Sequence, residues 1–246
     1  MNHDSLLVLS DTVVHPSNYE QITSNKQRAT TMAYRETSKI RERKQATHST
    51  IVSHALAMLN EVGFSGLQMA ALANRCGLAT GTLYRYFPSK EDLCTVLFAH
   101  ATDIEIAQVE QHLSSTTDTA SERIAAALST FAKRALRAPI TAWALIAEPV
   151  APAVIAARLH YRERYAQLFA NAIEQGVATG ELPAQDSSLS SRALVGAIAE
   201  ALIGPLAKTE QLDAHAAVQT SVAFCMQAIS ARPWPSAHLA SSITHK

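Results

Sequence analysis

The chain has 246 residues, 48% of them apolar and 17% charged, a length and balance that support one or two packed domains and exclude a disordered or fibrous protein. Formal net charge is zero, but Lys26, Arg28, Arg35, Lys39, Arg41, Arg43 and Lys44 face only Glu36 and Glu42 in the same stretch, while the sequence beyond residue 100 is slightly acidic. A basic front on a neutral body directs any polyanion to the front.

Residues 1–38 carry no sustained periodicity and mix Ser, Thr, Asn, Asp and Pro, so they read as a disordered tail. Met32, just ahead of the basic run, is a candidate initiator, and "LLVL" near the start is too short and too poor in basic neighbours for a secretory signal. From Lys39 to Lys44 the basic run reads as an arm able to follow a phosphate backbone or enter a minor groove, against the plainer reading of a solvated leader. Ile51, Ala55, Leu59 and Val62 then mark one face of a helix that stops at Gly63. A second short helix spans 68–75, and a third, 80–86, is cut by Pro88. Ser89 caps a fourth helix, with Asp92 three residues on; it runs to about His112, long enough to bridge two domains.

After the "SSTTDT" break at 114–119, helices are expected over 120–137, 140–148, 152–179, 187–207 and 212–230, punctuated by Pro139, Pro149, Gly180, Pro183 and the Gly204-Pro205 pair. No strand pattern survives. The last residues, 232–246, read as a loose tail in which Trp234 alone has the bulk to dock. Cys76, Cys94 and Cys225 form no CxxC pair, which fits the reducing cytoplasm. The apolar stretch "ALVGAIAEALIGPLA", 193–207, is shorter than a membrane span and contains Glu200 and Pro205, so no membrane is expected as a partner.

The densest information lies in "MAALANRCGLATGTLYRYF", residues 69–87. Leu72 and Ala73 face inward, Gly77 permits a tight turn, and Leu78 and Leu83 fill the angle between two short helices, the arrangement of a helix-turn-helix. With Leu83 and Phe87 directed inward, Thr80, Gly81, Tyr84 and Arg85 are left outside. Thr80 can bond a base edge or cover a thymine methyl, Gly81 allows close backbone approach, and Arg85 reaches guanine or phosphate. Hydroxyls of Thr82, Tyr84 and Tyr86 suit phosphate oxygens. Lys90 sits in a first helical turn, where free N–H groups also attract phosphate.

The stretch "GFSGLQMAALANRCGLATGTLYRYFPSKEDL", 63–93, resembles the DNA-binding domain of the TetR family of bacterial transcriptional regulators. The close likeness covers 47–97; beyond it the similarity is one of helix pattern. The resemblance implies an all-α fold: an N-terminal three-helix DNA-binding domain over 39–97, with the helix-turn-helix at 68–87, and a larger helical effector-binding and dimerisation domain over 98–231. It implies base contacts from Thr80 and Gly81 and phosphate contacts from Thr82, Tyr84, Tyr86 and Lys90. Gln68 and Ala79 depart from the family, which usually has Ser or Thr at both helix starts; a lost cap costs about 1 kcal/mol, so either Thr80 takes over or the third helix frays until DNA orders it.

A recognition helix of two turns reads few base pairs, so two copies about 34–36 Å apart are needed. Helices 187–207 and 212–230 offer Ala and Gly for close approach and Leu, Ile, Val218, Val222, Phe224 and Ile229 for burial, and paired with their mates they would form a four-helix dimer interface. Phe131, Trp143, Glu148, His160, Tyr161 and Arg164 lie on the central helices as candidate linings of an effector cavity. No Gly-rich phosphate loop, nucleophile elbow or metal-spaced His or Cys set is present, so neither an enzyme nor a cofactor or metal is expected. A DNA-binding protein of the same fold without an effector is the rival reading.

Overall fold

The computed structural model describes residues 38–207 and 213–231. The expected tails, including Trp234, lie outside the described residues apart from Ser38. The chain divides into two compact units, Met1–Arg41 and Glu42–Lys246; of the first, only 38–41 are described, and they are helical.

The described elements are α1 (Ser38–Gly66), α2 (Met69–Arg75), α3 (Thr80–Tyr86), α4 (Lys90–Leu113), α5 (Ala120–Arg137), α6 (Pro139–Ile146), α7 (Pro152–Ala178), α8 (Ser187–Ala207) and α9 (Ala214–Ser230), with no strand among them. The basic run at 39–44 is not an extended arm; it forms the first turns of α1, because nothing from Ser38 to Val62 breaks a helix. Gly63 does interrupt it. Its φ of 69° and ψ of −172° lie in a region that only glycine enters readily, and a separate helical turn follows.

Two apolar cores are built on these helices. The first joins Ile51, Ala55 and Leu59 of α1, Leu72 and Ala73 of α2, and Leu83 of α3 to Leu93, Leu97 and Phe98 of α4, and it extends to Ala144, Val154 and Tyr161. The second gathers Ile124 and Leu128 of α5, Phe169 and Ile173 of α7, Leu194, Ile198 and Leu202 of α8, and Val218, Cys225 and Ile229 of α9. Helix α4 serves both, giving Leu93 through Ile106 to the first and Val109 and Leu113 to the second. Caps set its neighbours: Ser89 accepts from the Asp92 amide at 3.0 Å, and Thr119 with Glu122 forms a reciprocal box at the start of α5.

Helix α8 is longer than its apolar stretch. At 21 residues it is long and apolar enough to cross a membrane by length and composition, yet Leu194, Val195, Ile198, Ala199 and Leu202 on one face are buried in the second core. It also runs through Pro205, whose missing N–H falls in the last turns.

Candidate nucleic-acid interface and effector cavity

The reading face is assembled by packing from behind. Leu72, Ala73 and Leu83 are fully buried and Phe87 is 3% exposed, which fixes the angle between α2 and α3. Gly77, at φ 64°, makes the turn. Leu78 donates its amide to the Ala73 carbonyl at 2.9 Å, closing it. With the inner positions spent, Thr80, Gly81, Tyr84 and Arg85 are exposed on α3, Tyr84 to 44%. A Cβ on Gly81 would meet nothing within 4 Å, so the backbone there is open to close approach. Neither Gln68 nor Ala79 makes a side-chain cap. Gln68 is nevertheless exposed at the start of α2.

Around this face the remaining candidates are placed less freely. Thr82 is half-buried, and Tyr86 packs partly against the first core. Lys90 opens α4 as expected, half-buried, and its ammonium donates to the Ser65 carbonyl at 3.3 Å; that long bond uses one of its three donors.

Of the six residues expected around an effector cavity, the structure brings Phe131 and Tyr161 together and leaves the other four elsewhere. A cavity of about 100 Å³ lies between α4, α5, α6, α7 and α8, with Phe98, Phe131, Tyr165 and Phe169 among its aromatic walls. Trp143 is half-buried but lines no part of it. His160 is exposed beside the Tyr161 ring. Arg164 pairs with Asp103 at 2.6 Å and lies over the Tyr161 ring, and that carboxylate raises its already high pKa.

Glu148 has a different task. It is buried, and its two carboxylate oxygens accept from the Phe64 amide at 3.0 Å and the Ser65 amide at 2.8 Å. These are the amides freed by the break at Gly63, so a residue from the α6–α7 turn caps the last turn of α1. The opposite end of α6 makes a second tie: Thr141 donates to Asn60 Oδ1 at 2.6 Å.

Polar residues that sequence reasoning missed line the cavity: Thr102, Glu105, Arg134, Thr141, Arg158, Arg162 and Tyr165. Arg134 and Glu105 form a two-bonded pair at 2.6 and 2.7 Å, and that bond raises the arginine pKa. Burial pushes the Tyr165 hydroxyl well up, keeping it neutral. Arg158 donates to the carbonyls of Leu145, Ala144 and Glu148 at 3.0, 3.1 and 3.0 Å, gathering the acceptors left over at the end of α6. Its cue was a lone arginine in "AVIAARLHY"; the convergence of five helices on the cavity it lines is not visible along the chain.

A helical body carrying an exposed recognition helix on a helix-turn-helix defines a DNA-binding regulator of transcription. The chain belongs to the TetR family: the model for bacterial regulatory proteins of the tetR family matches residues 51–95 and that for the tetracyclin repressor-like C-terminal domain matches 117–202, together more than half of the chain. Among curated relatives, it is 30% identical over 88 residues to the fatty acid metabolism regulator protein of Bacillus subtilis, covering 36% of this chain and 45% of that one. It is 49% identical over 43 residues to the HTH-type transcriptional repressor KstR of Rhodococcus jostii, 18% of this chain and 20% of that one. The matches thus span less than half the length of these relatives. Solved structures extend the likeness to the whole fold. FadR from Bacillus halodurans aligns with a TM-score of 0.63 at 20% identity over 73% of this chain and 94% of that one. FadR from Bacillus subtilis, in complex with stearoyl-CoA, aligns at 0.61 and 21% identity over 74% and 99%.

Proposed function

We propose that the protein is a homodimeric repressor that grips a palindromic operator through α2 and α3 of each protomer and releases it when a small molecule fills the cavity. Residues 39–97 then form the DNA-binding domain and 98–231 the effector-binding and dimerisation domain. The observation that carries the reading is the exposed face of α3: Thr80, Gly81, Tyr84 and Arg85 stand in solvent on a helix whose other side is fully packed. Thr80 and Gly81 meet base edges, Arg85 a guanine or phosphate, and Thr82, Tyr84, Tyr86, Lys90 and Gln68 the backbone. Relatives named as repressors, and a neighbour of the same fold bound to stearoyl-CoA, support repression and effector control.

Dimerisation is supported by what α8 and α9 leave uncovered. Leu189, Ala193, Gly196 and Gly204 lie along the outer side of α8, and Thr220, Ala223, Phe224 and Ala228 along that of α9, with Leu189 and Phe224 65% and 60% exposed. Small residues along paired helices permit close approach of a mate, and the two large apolar side chains reward it. Release follows from differential affinity. An effector favouring a conformation with wrongly spaced reading heads lowers operator affinity by as much as its preference for that state.

The test is selection of bound sequences from random duplex DNA, followed by titration of Tyr84→Ala and Arg85→Ala on the selected site. A two-fold symmetric sequence, and at least tenfold weaker binding by each variant at unchanged melting temperature, supports the proposal. No sequence preference at low salt refutes it.

A further inference from the structure

The cavity walls hold three guanidiniums, Arg134, Arg158 and Arg162, against one carboxylate, Glu105. Glu105 is consumed by Arg134, which grips both of its oxygens. Arg158 is half-buried and has no carboxylate partner among the described residues; its Nε and Nη2 are occupied by three carbonyls. Its Nη1, with two N–H donors, meets no acceptor there. Arg162, one helical turn along α7, lines the same cavity and is exposed without an ion pair among the described residues. Burial, followed by the neighbouring Arg162 charge, pulls the Arg158 pKa below its usual value. A cation so placed is incompletely compensated: carbonyl dipoles and the Glu148 carboxylate, which acts on it from beyond ion-pair distance, offset part of its charge, but among the described residues no carboxylate bonds it directly.

We propose, resting on the reading of this cavity as the effector site, that the effector is an amphipathic organic anion: an apolar body among Phe98, Phe131 and Phe169, and a carboxylate or phosphate head held by Arg158 Nη1 and Arg162. A guanidinium edge with two free donors matches either head group. Arg158 is then also the coupling residue. The same planar group that receives the head holds the Glu148 carbonyl, and the Glu148 carboxylate holds the amides of Phe64 and Ser65 at the base of the reading domain. At about 100 Å³ the cavity is smaller than the ligand such a lining invites. Entry therefore spreads α6 and α7 and shifts Arg158 with them.

The probes are decanoate, decyl phosphate, decan-1-ol and decyltrimethylammonium, one apolar chain with four heads, titrated calorimetrically into the full-length protein. Either anion is expected to bind at least about tenfold tighter than the alcohol, and the cation weakest; which anion leads tells carboxylate from phosphate. Arg158→Lys should weaken the anions about tenfold and leave decan-1-ol unchanged. Arg162→Gln, at an exposed residue that supports no contact of the fold, should weaken them about threefold. Equal binding of alcohol and anions, or anion affinity indifferent to both substitutions, overturns the proposal. Operator release is followed in parallel by fluorescence anisotropy. Anions that bind at Arg158 without releasing DNA would refute the effector-site reading while the ligand class stands, whereas release by alcohol and anion alike would do the reverse.

Discussion

Replacing Glu148 with alanine isolates one carboxylate that joins two parts of the fold. It removes two charge-assisted hydrogen bonds, at 3.0 Å to the buried Phe64 amide and at 2.8 Å to the partly buried Ser65 amide. Water can reach the second amide after truncation but not readily the first, so the loss is about 3 kcal/mol: one bond to a charged acceptor plus the penalty of a stranded buried N–H. In a chain of this size that lowers the melting temperature by about 6–12 °C. Glu148→Gln should recover part of this, because the amide oxygen serves one N–H while its NH2 opposes the other. Gly63→Ala supplies the cross-check. An added Cβ would stand 3.0 Å from Glu148 Oε2, at a φ of 69°. In the Glu148→Ala background that clash disappears and only the backbone strain remains, so the double variant should be at least about 0.5 kcal/mol less destabilised than the sum of the singles. Thermal and urea unfolding measure all four proteins. A melting temperature within 2 °C of wild type for Glu148→Ala, with 2 °C being about 1 kcal/mol or less at this size, or strict additivity with Gly63→Ala, would refute the reasoning.

Gly196→Glu adds a charged side chain where a Cβ would meet nothing within 4 Å, so the protomer should remain helical while sedimentation velocity shows the dimer population falling at least tenfold. Neutralising Lys39, Arg41, Arg43 and Lys44 together should weaken operator binding and flatten its salt dependence by up to about four in log–log slope; an unchanged slope in anisotropy titrations would remove this basic turn from the interface. Burial pushes the thiols of Cys76, Cys94 and Cys225 upward, so all three should react with a disulfide reagent at pH 8 far more slowly than in urea, with half-buried Cys76 the fastest.

The division of α3 into a packed and an exposed side was legible because its signal is local. Leu72, Ala73, Gly77, Leu83 and Phe87 lie within sixteen residues, and their spacing alone decides which side of α3 is packed. Helix limits were legible for the same reason, since Pro88, Ser89, Thr119 and Gly180 act on their immediate neighbours. The cavity was not. Its walls come from five helices, and whether an aromatic or arginine faces inward depends on crossing angles that no single helix encodes. Glu148 lies between. A carboxylate in "AWALIAEPVAPAV" announces a buried charge in need of a partner, but the partner is a pair of backbone amides 84 and 83 residues away, so sequence reasoning assigned it to a ligand. The basic run misled by composition: five charged residues among the six of 39–44 resemble a loose arm, yet none of them opposes a helix.

Helix α4 has 24 residues and no break between the two cores it serves, so it is a rod about 36 Å long. Pivoting such a rod by about 5° at its distal end displaces the other by about 3 Å, close to the axial step of one nucleotide. In the proposed dimer, a rearrangement too slight to disturb the packing of either core would be enough to move each recognition helix by about one base-pair step.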